Sequence, residues 1–266
     1  MHFDAGGIDG VFVSNLIVIP ARYESTRLPG KALLRQSGKY LVEHVYERAV
    51  SATRAHAVVV ATDDLRIMKA VKSFGGSAVM TSSAHQSGTD RIAEVARMAE
   101  YENYNYIVNL QGDEPEVDPG LIDSLFRILE NTDVPMATAA APFDDSQEVH
   151  RANVVKVVVD QRRFAMYFSR SVIPYDRDGV LQGAPGLLLG GLYRKHLGIY
   201  AYRREFLLTL SQTEPCELEK IEKLEQLRAL YMGAKIIVHD SPQAHHGIDT
   251  PEDYAAFLIR QGIHAA

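Results

Sequence analysis

Apolar and polar positions along the chain follow two periods in turn. Leu16 to Ile19 is a β-branched run that stops at Pro20, predicting a buried strand and then a loop through Gly30. After Ser37-Gly38-Lys39, the positions Leu41, Val42, Val45, Tyr46 and Ala49 recur at helical spacing and predict an amphipathic helix. Strands predicted at 57–61, 78–80, 106–110 and 136–140 alternate with helices around Ile67 to Phe74, at 91–99 and at 121–129. Alternation at this rhythm implies crossovers between parallel strands. The pattern then changes: 154–159 and 164–168 flank the polar stretch 160–163 and predict an antiparallel hairpin. Residues 174–194 show no period and read as a long lid-like loop. A strand at 197–202, a long helix at 217–232, a strand at 235–238 and a closing helix at 251–261 complete the chain. The expectation is one α/β domain over 1–266, a mostly parallel mixed sheet flanked by helices in a Rossmann-like arrangement. Within it, 1–15 reads as an N-terminal extension and about 143–215 as an antiparallel lobe.

Composition narrows the class. Of 266 residues, 46% are hydrophobic and 23% charged, a globular balance that excludes a disordered or fibrous chain. The lone Cys216 excludes an internal disulfide and an all-cysteine zinc site, and fits a reducing cytoplasm. A net charge of −6 argues against nucleic-acid and anionic-membrane partners, so any phosphate chemistry must use locally gathered cations. The segment Met1 to Asn15 carries Asp4, Asp9 and three glycines without a basic start or a long apolar stretch, unlike a signal peptide. No apolar run reaches the roughly 18 to 20 residues of a membrane span.

Three clusters bear chemistry. The loop Pro20-Ala21-Arg22-Tyr23-Glu24-Ser25-Thr26-Arg27-Leu28-Pro29-Gly30-Lys31 places three cations at the carboxyl end of the first strand, where open α/β sheets bind anions; triphosphate suits it, a solvated loop being the plainer reading. It is neither a P-loop, since Ala32 follows Gly30-Lys31, nor a G-x-G-x-x-G turn. Asn109-Leu110-Gln111-Gly112-Asp113-Glu114-Pro115 follows a strand and offers Asp113 to a hard divalent cation such as Mg²⁺, against the alternative of a simple Gly-Asp turn. In His245-His246-Gly247-Ile248-Asp249-Thr250-Pro251-Glu252-Asp253, the last four residues are a helix start, leaving Asp249 free for a metal; adjacent histidines rarely share one ion, and structural or surface roles suit both. Glu219, Glu222, Glu225 and Gln226 share helical spacing, either as a site face or as a solvated stripe. No G-x-S-x-G elbow supports a serine hydrolase.

Taken in order, the segments Val18 to Leu33, Ala61 to Asp64, Ser87 to Val95, Val108 to Pro115, His196 to Tyr202, Leu218 to Leu227 and Gly247 to Asp253 resemble the 3-deoxy-manno-octulosonate cytidylyltransferases (CMP-Kdo synthetases) of the nucleotidyltransferase superfamily. The resemblance runs from about residue 16 onward. It implies CMP transfer from CTP to 3-deoxy-D-manno-octulosonate (Kdo) with release of pyrophosphate, for bacterial lipopolysaccharide synthesis, by a cytoplasmic Mg²⁺-dependent homodimer. By the same resemblance Arg22, Arg27 and Lys31 bind the triphosphate, and Asp113 and Asp249 hold the metal; Arg22, Lys31, Asp113 and Asp249 are the catalytic set. Pro20, Ala21, Ser87 and Arg91 surround the cytosine, while Gln111, Arg170, His196, Tyr200, Glu219 and Gln226 meet the sugar, Arg170 facing its carboxylate. The lobe would serve sugar binding and dimerisation. Glu24, the N-terminal extension and the loop 190–195 depart from the family pattern. The rival readings are another sugar-acid cytidylyltransferase such as an acylneuraminate enzyme, a sugar-1-phosphate nucleotidylyltransferase, and a non-catalytic nucleotide-binding protein.

Overall fold

The computed structural model describes residues 14–25, 27–85, 87–178 and 191–263. The first apolar run becomes β1 (Asn15–Ala21), with Leu16 to Ile19 entirely buried, as suits a central strand covered on both faces. Period two then divides its side chains: Ile17 and Ile19 join one core layer, Leu16 and Val18 the other. Asn15, expected in the extension, is the strand's first residue and donates from Nδ2 to Arg54 O at 2.9 Å.

The remaining strands are β2 (Ala57–Thr62), β3 (Ala78–Met80), β4 (Tyr106–Asn109), β5 (Met136–Ala141), β6 (Lys156–Val159), β7 (Ala165–Ser169), β8 (Lys195–Arg203) and β9 (Ile236–Asp240). Among the described residues they form one nine-stranded sheet with the main order β3-β2-β1-β4-β8-β5-β9, β6 and β7 standing off this path. β3, β2, β1 and β4 run parallel, as do β5 and β9; β8 runs antiparallel between β4 and β5, so the sheet is mixed and mostly parallel. β6 and β7 form the expected antiparallel ladder and reach the main sheet where Lys156 faces Lys195.

The helices are α1 (Leu41–Val50), α2 (Leu65–Ser73), α3 (Gly88–Arg97), α4 (Pro119–Asn131), α5 (Arg204–Gln212), α6 (Glu217–Glu222), α7 (Gln226–Tyr231) and α8 (Pro251–Arg260). Val42 and Val45 of α1 and Leu121, Leu125 and Phe126 of α4 cover one face; Ile92 and Val95 of α3, Leu207 of α5 and Leu227 of α7 cover the other. One expectation fails here, and one helix is unforeseen. The single helix over 217–232 is broken, because Lys223 takes a left-handed backbone (φ 54°, ψ 49°) and its N–H donates to Glu219 O at 2.7 Å. In a straight helix Leu224 would point about 140° away from Glu219; the break buries both. α5, directly after β8, has no counterpart among the predicted elements.

Residues 1–13 of the extension and 179–190 of the expected lid lie outside the described residues. No described helix is long and apolar enough to cross a membrane.

Candidate active site

β1 and β4 are parallel neighbours, so the loops after them leave the same sheet edge. Gly112 lets these loops touch: a Cβ there would stand 2.8 Å from Pro20 O, closer than any side chain tolerates. The chain returns to this edge from its far end. Ile248 N–H donates to Asp113 O at 2.8 Å, which seats Asp249 beside Asp113. The predicted helix start fixes Asp249 in turn, since Asp253 Oδ2 accepts from the N–H groups of Thr250 (2.9 Å) and Asp249 (3.1 Å).

Two carboxylates that lie far apart in sequence are thereby brought to one ammonium group. Lys31 Nζ donates to Asp113 Oδ2, to Asp249 Oδ1 at 3.0 Å and to Ile248 O at 3.2 Å, and Arg27 Nη2 lies 2.9 Å from Asp249 Oδ2. Burial opposes the Lys31 charge, but the attraction and hydrogen bonds of Asp113 and then Asp249 outweigh it and hold its pKa above the ordinary lysine value. Two carboxylates and a carbonyl aimed at one point are hard oxygen donors, a set that fits Mg²⁺ with substrate phosphates and water as its other ligands. Behind them sits Glu114, whose carboxyl is pushed well above its usual range by burial and by the neighbouring Asp113 and Asp249. His245, 3.2 Å from it, is driven down to about 4 by burial.

Around this point lies a cavity of about 390 Å³, lined by Pro20, Ala21, Arg22, Arg27, Lys31, Ser87, Arg91, Gln111, Asp113 and Asp249 among others. Every residue expected at the nucleotide and metal therefore stands on one wall system. Ser87 also caps α3, its Oγ accepting from Asp90 N at 3.1 Å. Arg91 is buried and held by Thr81 Oγ1 (2.5 Å) and Asp63 Oδ2 (3.0 Å), which makes it a fixed part of the wall.

A second cavity of about 380 Å³ adjoins the first and shares Gly88, Gln111 and Glu225 with it. His196, Tyr200 and Gln226, three of the residues expected at the sugar, line it. His196 lies between the rings of Phe168 and Tyr200 (centroids 4.9 and 5.4 Å away), with Nε2 3.0 Å from Thr138 Oγ1; burial lowers its pKa to about 3 and keeps it neutral. Burial likewise raises Tyr200 well above the usual phenol value. Gln226 Nε2 is buried with no hydrogen-bond partner among the described residues, an amide available to a ligand.

Two of the expected sugar residues stand elsewhere. The Arg170 guanidinium donates to Glu222 O (2.7 Å), Ala152 O (3.1 Å) and Lys223 O (3.4 Å), so its donors serve the backbone around the break between α6 and α7, and it lines neither cavity. Glu219 lines neither cavity and is buried against Arg228 through contacts of 2.7 and 2.6 Å. The member of that acidic stripe that does reach both cavities is Glu225, raised above its usual pKa chiefly by burial. Asn153, Lys195 and Lys223 also line the second cavity. Helical spacing pointed to the stripe, but the unseen break decided which carboxylate turns inward.

A profile of the cytidylyltransferase family matches residues 16–236. The 3-deoxy-manno-octulosonate cytidylyltransferase of Syntrophobacter fumaroxidans is 49% identical over 242 residues, 91% of this chain and 94% of that protein. Its counterpart in Vibrio vulnificus is 46% identical over 256 residues, 95% and 99% of the two chains. A solved CMP:2-keto-3-deoxy-manno-octonic acid synthetase complexed with CTP superposes with a TM-score of 0.84 at 42% identity, covering 94% of this chain and all of that one. By contrast, a 4-diphosphocytidyl-2C-methyl-D-erythritol synthase from Anaerococcus prevotii, 12% identical with a TM-score of 0.60 over 93% and 97% of the chains, shares the fold alone. The chain belongs to the 3-deoxy-manno-octulosonate cytidylyltransferase family.

Proposed function

We infer that the protein transfers CMP from CTP to 3-deoxy-D-manno-octulosonate, giving CMP-Kdo and pyrophosphate. The observation that carries this reading is the pair of adjoining cavities with Gln111 at their common wall, one lined by cations and the Asp113–Asp249 pair, the other by the neutral polar groups of His196, Tyr200 and Gln226 together with Lys195, Lys223 and Glu225, a mixture suited to an acidic polyol. CTP occupies the first, its triphosphate against Arg22, Arg27 and Lys31 and its base toward Pro20, Ala21, Ser87 and Arg91. Kdo occupies the second, its hydroxyls toward His196, Tyr200, Gln226 and Glu225. Because Arg170 lines neither cavity, Lys223 and Lys195, the latter 3.1 Å from Glu148 Oε2, are better placed for the sugar carboxylate.

The anomeric hydroxyl oxygen attacks the α-phosphorus in line and gives up its proton to solvent; that O–P bond forms as the bond to the bridging oxygen breaks, and pyrophosphate leaves with the bonding pair. This chain's residues supply positioning and a preorganised positive field, with Lys31, Arg27 and Arg22 meeting the charge on the leaving group. Asp113, Asp249 and Ile248 O would hold Mg²⁺, which when bound would supply charge screening of the phosphate oxygens and a lower pKa for the attacking hydroxyl. The enzyme acts as a cytoplasmic homodimer supplying lipopolysaccharide synthesis, a reading supported by the family resemblance. Pyrophosphate release from CTP, measured with Kdo, with an acylneuraminate and without acceptor, tests the activity. Kdo-dependent release is expected; release driven only by the acylneuraminate, or none at all, overturns the reading.

A further inference from the structure

His245 and Glu114 remain unexplained by substrate contacts, yet they lie directly behind the two aspartates. Asp113 and Asp249 sit on loops more than a hundred residues apart in sequence. Of the ties that hold these loops together, Lys31 uses the same carboxylate oxygens that a cation would take, so it cannot set their spacing once those oxygens are engaged elsewhere. Two ties leave the carboxylates free. One is the hydrogen bond from Ile248 N to Asp113 O at 2.8 Å. The other is a packing contact, His245 Nε2 against Glu114 Oε2 at 3.2 Å, with the imidazole side chain only 6% exposed and that oxygen without a hydrogen-bond partner among the described residues. The fit is close on both sides: a Cβ at Gly247 would come within 3.0 Å of Glu114 Oε1, so the chain between His245 and Asp249 runs hard against this carboxyl group.

We propose that Glu114 and His245 form a positioning clamp that joins the loop after β4 to the loop before α8 and thereby fixes the separation of Asp113 and Asp249 for a divalent cation. Neither residue touches substrate; Glu114 acts through the adjacent Asp113, and His245 through Asp249 four residues further along the chain. The inference rests on the metal reading given above. Supporting groups behind metal ligands are commonly worth 10- to 100-fold in metal affinity.

The test uses the full-length protein and Mn²⁺, whose free fraction is read by electron paramagnetic resonance, alongside Mg²⁺ titration of turnover. His245→Ala is expected to weaken Mn²⁺ binding by about tenfold or more, and to raise the half-saturating Mg²⁺ concentration by a larger factor than it lowers kcat. His245→Gln, which fills much of the same buried volume against Glu114, restores most of the affinity. Glu114→Ala reproduces the loss, and the double variant Glu114→Ala/His245→Ala is no worse than either single one, since one contact is removed in all three. Wild-type Mn²⁺ affinity in His245→Ala, or losses that add in full in the double variant, overturns the clamp. Asp113→Asn separates the two readings: if it alone loses Mn²⁺ binding, the metal site stands and the clamp falls; if it binds Mn²⁺ like the wild type, both fall.

Discussion

At the scale of single residues, the site depends on charges that compensate one another. Asp113 is one of two carboxylates held at Lys31. Asp113→Asn keeps its shape and removes its charge, so folding should survive while turnover falls on the order of 10²-fold or more, the equivalent of roughly 3 kcal/mol at the transition state. Near-normal kcat at saturating Mg²⁺ would count against Asp113. His196 carries a different kind of prediction. Its pKa is about 3 in the folded chain against an ordinary 6.5, because burial disfavours the imidazolium. Between those values the unfolded chain binds the extra proton, so the stability this histidine contributes is complete above pH 6.5 and is lost as pH falls toward 3. The slope approaches about 1.4 kcal/mol per pH unit. Glu114 and Glu225 have raised pKa values and act with the opposite sign, so the whole-protein profile mixes both effects. The difference between wild type and His196→Gln isolates the histidine: the variant should lose less stability between pH 7 and pH 5 in denaturant titrations. Parallel curves would show that His196 is not held neutral by its surroundings.

At the scale of elements, the break between α6 and α7 decides which side chains reach the sugar cavity. Arg170 and the Glu219–Arg228 pair hold the break from either side. Arg170→Ala should lower stability by about 2 kcal/mol, since the backbone carbonyls of Glu222 and Ala152 lose their donor. Breaking the buried pair with Glu219→Ala should cost more, about 3–5 kcal/mol, because Arg228 keeps a buried charge without its partner. Chemical denaturation measures both; an Arg170 variant of unchanged stability with a raised KM for Kdo would return that residue to the sugar site. This element also shows where sequence reading runs out. The strands around Ile17, Val59 and Val108 were legible because long-range burial imposes their composition, and Thr250, Pro251 and Asp253 because a helix start is a local event. The left-handed turn at Lys223 carries no such mark: it is a lysine where glycine is usual, and it is held by Glu219 O and the tertiary contacts of Arg170. Once the helix bends, Glu219 turns to Arg228 and Glu225 turns to the cavities, a swap that 3.6-residue spacing cannot register. α5 was missed for a related reason, since it follows β8 without a turn residue between them.

At the scale of the molecule, the antiparallel strand β8 is what makes the two cavities adjoin. By running between β4 and β5 it sets Tyr200 directly opposite Asn109 and His196 opposite Ala140, and two residues on from Asn109 Gln111 lines both cavities. The two cavities are thus neighbours across one strand pair, with Gln111 at the wall they share, Gln226 only in the second and Arg22 only in the first. This layout makes the kinetic effects of three substitutions separable. Gln226→Ala removes a buried amide from the sugar side and should raise KM for Kdo about tenfold, as loss of a buried hydrogen bond of roughly 1.4 kcal/mol requires, with KM for CTP unchanged. Arg22→Ala should do the reverse. Gln111→Ala should raise both constants and lower kcat as well, because the side chain lines both cavities and, on the proposed placement of the substrates, would orient the attacking hydroxyl against phosphorus. Steady-state kinetics with each substrate varied at saturating levels of the other distinguishes these outcomes. Should Gln226→Ala raise the CTP constant by the same factor as the Kdo constant, the two cavities would be acting as one compartment, and the division of labour across β4 and β8 would be wrong.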